Sequence, residues 1–262
     1  MRPLRKLALL EGVAQGKLEG MQSVRDHYSK LLGPVYAWSA GGVDAALARG
    51  AGELDVLGLS PRKNAQAVDL GAGFGMHSIP LAQRGFSVLA VDTSPELLRE
   101  LTAQAAKLPV QTIEADILSF RKHFEGTAEV ILCMGDTLTH LSTLDQVESL
   151  FGEAATALDG NGIFVLTFRD YTPALLAERR FIPVRSDADR ILTCFLEYDD
   201  SHVTVHDLLH ERDGAQWKLN VSSYRKLRLA REWVSRALEG RGFRVTQEAG
   251  LSGMVRFIAR LV

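Results

Sequence analysis

Three glycines at alternating positions, Gly71, Gly73 and Gly75, directly follow a short apolar run. Glycine permits positive φ and carries no side chain, so a strand can turn sharply there and present backbone N–H groups to a ligand. The spacing differs from the G-x-G-x-x-G dinucleotide fingerprint, because Met76 stands where that pattern has its third glycine. No Gly-Lys-Ser/Thr follows, which excludes a Walker phosphate loop. The segment predicts a strand, a tight ligand-facing turn and a helix.

A second apolar run, 86–91, ends in a carboxylate at Asp92. A carboxylate at this offset from a glycine turn can accept hydrogen bonds from both hydroxyls of a ribose. The two segments together predict one half of a nucleoside-binding α/β sheet.

Apolar strands and helical segments alternate through the centre of the chain. The predicted strands are 66–70, 87–91, 110–114, 128–133 and 162–168, and the predicted helices are 75–84, 95–106 and 145–158. Near-continuous apolar strands between helices are typical of a parallel sheet covered on both faces. Residues 190–227 instead contain three β-rich runs joined by short polar turns, which predict an antiparallel meander. A helix and two closing strands follow.

The glycine and acid motifs resemble those of class I S-adenosylmethionine-dependent methyltransferases, which have the form acid-x-Gly-x-Gly-x-Gly with a second acid ending the next strand. Asp69 and Asp92 supply the two acids. The resemblance implies a Rossmann-like sheet of seven strands with the last one antiparallel, and S-adenosyl-L-methionine as the cofactor. It divides the chain into an N-terminal helical cap segment, 1–58, and a methyltransferase domain, 59–262, with the meander inserted at about 190–227.

The same resemblance assigns cofactor contacts. Asp69 would help hold the methionyl ammonium and Asp92 the ribose, while Asp116 would face the adenine amino group with the Ile117 amide nearby. Asp116 can equally cap a helix or turn. The full set of expected cofactor-binding residues is Tyr28, Asp69, Gly71, Ala72, Gly73, Gly75, Asp92, Thr93, Asp116, Ile117, Met134 and Gly135.

The segment 130–141 resembles the Gly-Asn-Ser-x-x-His-Leu element of glycine and sarcosine N-methyltransferases. This chain has Asp136 in place of Asn and Thr137 in place of Ser. We expect Asp136 to bind substrate, with a preference for a cationic group. His140 is a candidate catalytic base, because an imidazole titrates near neutral pH, or a histidine that only supports the loop.

The segment 166–171 is similar to the Arg-Asn-Tyr-Asp element of the same enzymes, in which the arginine grips the substrate carboxylate. Arg169 and Tyr171 are therefore candidate substrate-binding residues, although an internal ion pair is an equal alternative for Arg169. The acid expected after the tyrosine is Thr172 in this chain, so the match is incomplete.

Aromatic residues near the N-terminus resemble the segment that many small-molecule methyltransferases fold over the cofactor. Tyr28 is expected at the cofactor, Tyr36 among the catalytic residues and Trp38 at the substrate. Aromatic faces attract a sulfonium through cation–π interactions. Ordinary core packing is an equal alternative for all three.

The amino-acid composition of the chain limits the kinds of ligand and partner that it is expected to bind. A net charge of −2 and a pI near 6.4 give no basic field that would favour nucleic acid. Cys133 and Cys194 lie in apolar runs without metal-ligand spacing, which favours buried thiols in a cytoplasmic protein with no metal site. No apolar stretch is long enough for a signal peptide or a membrane span. The meander is expected to be either a substrate-specificity element or the contact of a homodimer.

The expected function is methyl transfer from S-adenosylmethionine to a small molecule, most plausibly at an amine or amino-acid nitrogen. O-methylation of a small molecule and a non-catalytic, regulatory S-adenosylmethionine-binding protein are the alternatives. A nicotinamide-linked oxidoreductase is disfavoured by the glycine spacing.

Overall fold

The structure, a computed structural model, describes residues 23–262 of the chain. The first 22 residues of the predicted cap segment lie outside the described part. The helices are α1 (Val24–His27), α2 (Gly33–Ser39), α3 (Val43–Val56), α4 (Ser78–Gln83), α5 (Pro95–Ala105), α6 (Leu144–Ala157) and α7 (Arg231–Glu239). The strands are β1 (Gln66–Leu70), β2 (Ser87–Asp92), β3 (Val110–Glu114), β4 (Ala128–Cys133), β5 (Leu158–Phe168), β6 (Phe181–Ser186), β7 (Arg190–Tyr198), β8 (His202–Asp213), β9 (Gln216–Leu227), β10 (Phe243–Ala249) and β11 (Val255–Leu261).

Seven strands form the central sheet in the order β10-β11-β5-β4-β1-β2-β3. Strands β1 to β5 run parallel, and β11 runs antiparallel to both β5 and β10. Alternate residues along a strand belong to different apolar clusters, as Ala67 and Val68 do in β1. Both faces of the sheet are therefore covered, as a parallel sheet requires, and the predicted α/β class with an antiparallel last strand is confirmed.

The second sheet has four antiparallel strands in the order β6-β7-β8-β9. Strands β7 to β9 confirm the predicted meander. Strand β6 was not predicted, because Pro183 and Arg185 interrupt its apolar pattern and its side chains are mostly exposed. Its pairing with β7 extends the inserted sheet back to Phe181.

The N-terminal helical region continues through the Gly33-Pro34 pair, residue types that usually end a helix. A π-helical turn, Tyr28–Leu32, joins α1 to α2, and Pro34 falls in the first turn of α2. Proline is tolerated there because an N–H in the first turn needs no helical partner. A Cβ atom on Gly33 would lie 2.6 Å from the Tyr28 carbonyl oxygen, so glycine permits this tight turn. The π-helical turn brings the ring centroids of Tyr28 and Tyr36 to 5.6 Å from each other.

Candidate cofactor and active site

A cavity of about 300 Å³ opens at the carboxyl ends of β1 to β4. This edge of an open parallel sheet is the usual ligand-binding position, and the volume is at the lower end for small-molecule sites. The predicted residues that line it are Tyr28, Tyr36, Gly71, Ala72, Gly73, Asp92, Thr93, Asp116, Ile117, Met134, Gly135 and His140. The predicted residues that do not line it are Asp69, Gly75, Asp136, Arg169, Tyr171 and Trp38.

The three glycines of the turn all have positive φ, but they differ in what lies next to each of them. A Cβ on Gly71 would lie 2.4 Å from the Thr137 side chain, and one on Gly75 would lie 2.3 Å from Leu101. These two glycines permit close packing of the turn. Gly73 lines the cavity, where a Cβ would stand 3.6 Å from the Tyr36 ring.

Asp92 ties the glycine turn to the end of β2. Its carboxylate accepts hydrogen bonds from the backbone N–H groups of Gly73 and Ser94, both at 2.8 Å. Burial raises the pKa of the Asp92 carboxyl, while these two N–H groups oppose that rise. Each carboxylate oxygen keeps further acceptor capacity toward the cavity, which suits a pair of ribose hydroxyls.

Asp69 lies behind the turn. It is 1% exposed and accepts a hydrogen bond of 2.6 Å from the Ser78 hydroxyl. Burial raises the pKa of this carboxyl, and the nearby His77 opposes the rise. Its contact with a methionyl ammonium stays a prediction.

Asp116 caps the short 3-10 helix Ile117–Lys122, because its side chain accepts a hydrogen bond of 2.8 Å from the Leu118 N–H. It also lines the cavity beside Ile117. Asp116 therefore caps a helix and also lines the cavity. Its contact with adenine stays a prediction.

His140 forms part of an aromatic wall of the cavity. Its ring stacks on Tyr224 with centroids 5.5 Å apart and lies edge-on to Tyr28 at 6.0 Å. Its Nδ1 atom is buried without a hydrogen-bond partner among the described residues. Burial, and then the charge of Lys226, hold the pKa of His140 well below its usual value. The imidazole is therefore neutral at pH 7 and is a weaker base than a free imidazole.

Asp136 is engaged by the protein itself. It is 5% exposed and receives hydrogen bonds from the Lys226 ammonium, the Tyr171 hydroxyl at 2.9 Å and the Arg169 backbone N–H at 2.8 Å. Its partner cation comes from β9 of the inserted sheet. The predicted roles of Asp136 and Tyr171 toward a cationic substrate stay predictions, and in the described structure an internal lysine already supplies the positive charge.

Arg169 and Trp38 point elsewhere. The Arg169 guanidinium donates to the Ser252 carbonyl oxygen at 2.7 Å, before β11. The Trp38 indole N–H donates to Asp187 at 2.6 Å, and the Arg190 guanidinium lies 4.5 Å from its ring. Both side chains thus bind neighbouring segments of the protein, and their predicted substrate contacts stay predictions.

Two polar cavity residues escaped the sequence analysis. Arg25 lies at the cavity and pairs with Glu114 at the end of β3. His77 follows the glycine turn, and its Nε2 lies 3.0 Å from the Glu53 carboxylate. The sequence does not show these pairs, because their members lie far apart in the chain. For His77 one signal was present, since it follows the glycine turn by two residues.

The segment that carries the glycine turn and most of the cavity lining matches known methyltransferases. Residues 67–162 match the methyltransferase domain family. The glycine/sarcosine N-methyltransferase of Aphanothece halophytica is 28% identical over 171 residues, 63% of this chain and 64% of that protein. The one from Parasynechococcus marenigrum (strain WH8102) is 30% identical over 106 residues, 40% of this chain and 38% of that protein. The matches therefore span less than two thirds of these relatives.

A solved structure extends the comparison to most of the chain. The S-adenosylmethionine-bound amino pentose methyltransferase from Micromonospora echinaspora has a TM-score of 0.72, 17% identity, and covers 87% of this chain and 95% of its own. At this identity the likeness shows the fold. Residues 67–162 are therefore a methyltransferase domain, and the chain that carries them has the fold of a class I S-adenosylmethionine-dependent methyltransferase.

Proposed function

We propose that the protein transfers a methyl group from S-adenosylmethionine to a nitrogen atom of a small molecule. The observation that carries the proposal is the Asp92 carboxylate, fixed by the Gly73 and Ser94 amides at the wall of the cavity. A carboxylate held beside a bare glycine turn is the arrangement that a ribose requires.

The residues at the cavity fit this cofactor. Gly73 leaves open the space that a side chain would occupy beside Tyr36, and Asp92 and Asp116 offer acceptors at the ends of adjacent strands. Tyr28 and Tyr36 offer aromatic surface that attracts a positive sulfur. When bound, S-adenosylmethionine supplies an activated methyl group, and the protein has to align the acceptor and exclude water.

A neutral imidazole lines the cavity and suits an acceptor that must lose a proton, and the names of the relatives favour nitrogen as that acceptor. An amine attacks through its lone pair and must lose a proton before or after transfer. His140, neutral at pH 7, would take that proton. The glycine/sarcosine enzymes and the amino pentose methyltransferase, which resemble this chain in sequence or fold, carry amine-bearing substrates in their names.

The experiment has two steps. Isothermal titration with S-adenosylhomocysteine and with NADH first tests the cofactor, and we expect binding of the former only. Transfer of labelled methyl is then measured on a panel of glycine, sarcosine, amino sugars, aromatic amines and phenols. Turnover of amines supports the proposal, turnover of phenols alone would establish O-methylation, and binding without any turnover would favour a regulatory protein.

The proposed partner is a small-molecule substrate. Between residues 23 and 262, no helix has the length and apolarity to cross a membrane. A cytoplasmic location, a homodimer and the absence of a nucleic-acid partner stay predictions.

A further inference from the structure

The cavity contains three residues that can carry positive charge within the described part of the chain, namely Arg25, His77 and His140. The cofactor of the proposed function ends in an amino acid, so its carboxylate requires a donor, most effectively a cationic one. Each of the three has a different position and partner, and these differences identify the donor.

Arg25 and His140 are committed elsewhere. The Arg25 guanidinium pairs with Glu114 at the end of β3, the edge strand of the sheet. His140 is held neutral by its buried aromatic surroundings and lies on the short helix that follows β4. Arg25 therefore lies at the β3 edge of the sheet rather than beside the glycine turn, and His140 carries no positive charge.

The order of strands fixes which way the cofactor runs. Asp92 ends β2 and Asp116 follows β3, so these acids place the nucleoside over the β2–β3 side of the cavity. Strand β1 lies on the other side of β2. The amino-acid end must therefore extend over β1, whose glycine turn leads directly to His77.

His77 is held in place by α3. A Cβ on Gly50 would lie 1.9 Å from the Met76 carbonyl oxygen, so glycine at this position lets α3 touch the turn. This contact brings Glu53 to 3.0 Å from His77 Nε2. With Nε2 bonded to Glu53, the other ring nitrogen, Nδ1, is left for a ligand.

We propose that His77, oriented by Glu53, binds the carboxylate of the amino-acid end of S-adenosylmethionine through Nδ1–H. The inference rests on the proposed function and names the residue that binds this end of the cofactor. Asp69 lies close enough to His77 for their charges to interact. An imidazole N–H donor next to a carboxylate acceptor matches the carboxylate and the ammonium of an amino acid.

The test compares two ligands that differ in the amino-acid group alone. S-adenosylhomocysteine carries this group, whereas 5′-methylthioadenosine has the same nucleoside and sulfur without it. Titration calorimetry on His77→Gln is expected to show S-adenosylhomocysteine binding weakened about ten- to hundredfold, the range for losing a charged hydrogen bond. Binding of methylthioadenosine is expected to change less than about twofold, since the nucleoside contacts are untouched.

Two further variants separate a direct contact from a structural role. His77→Asn keeps a donor near the Nδ1 position and should retain more affinity than His77→Gln, whose amide reaches toward Glu53 instead. His123→Ala, at an exposed histidine outside the cavity, is the matched control and should bind both ligands like the unaltered protein.

Equal weakening of both ligands in the His77 variants would overturn the inference, because it would mark a general distortion of the site. Unchanged S-adenosylhomocysteine affinity would overturn it as well. Failure of the unaltered protein to bind either ligand would instead overturn the proposed function and the inference together.

Discussion

Asp92 accepts a hydrogen bond of 2.8 Å from the backbone N–H of Gly73, a residue 19 positions earlier in the chain. The bond joins the turn after β1 to the end of β2, which are adjacent parallel strands. It fixes the shape of the turn and the direction of the carboxylate at the same time. The two sequence motifs are thus one structural unit.

Replacement of Asp92 by alanine should weaken S-adenosylhomocysteine binding by about 1.5–3 kcal/mol, because it removes charged hydrogen bonds to the ribose. Titration calorimetry measures this directly. Asp200→Ala, at an exposed turn of the inserted sheet, is the control and should leave the affinity unchanged. Unaltered affinity in Asp92→Ala would show that the carboxylate does not hold the ribose.

Gly71→Ala should destabilise the protein more than Gly126→Ala does. The two glycines have nearly the same φ, 78° and 80°, so both variants carry a similar backbone cost. Only at Gly71 does the added Cβ meet another group, Thr137 at 2.4 Å, whereas nothing lies within 4 Å at Gly126. We expect a difference of about 1–3 kcal/mol, the usual cost of overpacking, in chemical denaturation. Equal losses would contradict the packing role of Gly71.

Glu129 should contribute stability that disappears in acid. The carboxylate is 1% exposed, and its burial raises the pKa, but the backbone hydrogen bonds that it accepts from residues 62–65 together outweigh burial and lower the pKa from 4.5 to about 2. Because the folded pKa is the lower one, the stabilisation is complete above pH 4.5 and is lost as pH falls from there to about 2. Its size at pH 7 is about 3 kcal/mol.

Glu129→Gln should accordingly lower the unfolding free energy at pH 7 and flatten the dependence of that free energy on pH between 4.5 and about 2. Denaturation curves recorded across this pH range check the expectation. Glu125→Gln, at a nearby exposed position, is the control and should retain the steep acid dependence. A Glu129→Gln protein that is as acid-sensitive as the original would refute the assignment.

Lys226→Met should destabilise the fold strongly. Asp136 and Lys226 are 5% and 7% exposed, and removal of the lysine leaves a buried carboxylate without its cation. Breaking a buried pair in this way costs about 3–5 kcal/mol. The double variant Asp136→Asn/Lys226→Met should cost less than the sum of the two single variants, since neither charge remains.

Arg99→Met, which breaks an exposed ion pair, is the control for the loss of the buried pair. Arg99 pairs with Glu96 at 3.3 Å on the exposed face of α5, and exposed pairs contribute about 0–1 kcal/mol. Unfolding free energies of the unaltered protein, the two single variants, the double variant and Arg99→Met form the test. Strict additivity of the Asp136 and Lys226 changes would show that the two side chains do not interact.

His140→Ala should reduce turnover while sparing cofactor affinity. General-base catalysis accounts for about 10²–10⁴ in rate, so the loss should appear in kcat for the amine substrate. Because the pKa of His140 is lowered well below 6.5, activity should stay level as pH falls to 6.5 and decline only below it. A decline centred at or above 6.5 would assign proton transfer to another group.

Local patterns in the sequence predicted the central sheet and the residues proposed to hold the nucleoside. Alternation of apolar strands and helices predicts the parallel sheet, and glycine spacing with a strand-end acid predicts a nucleoside site, at which the structure shows the Gly73 N–H bonded to Asp92. These features depend on residues within one β-α-β unit, where sequence order constrains position closely. The antiparallel meander could be predicted for the same reason, because short polar turns join its strands.

Only the tertiary structure decided which buried charges meet. Asp136 pairs with Lys226, 90 positions away, and His77 pairs with Glu53, which lies on a different helix from the one that follows His77. The sequence pattern alone was equally compatible with a substrate contact or an internal pair for Arg169, and the fold turns its side chain toward Ser252. Such pairings depend on how separate elements pack, and burial makes each unpaired charge too costly to leave alone.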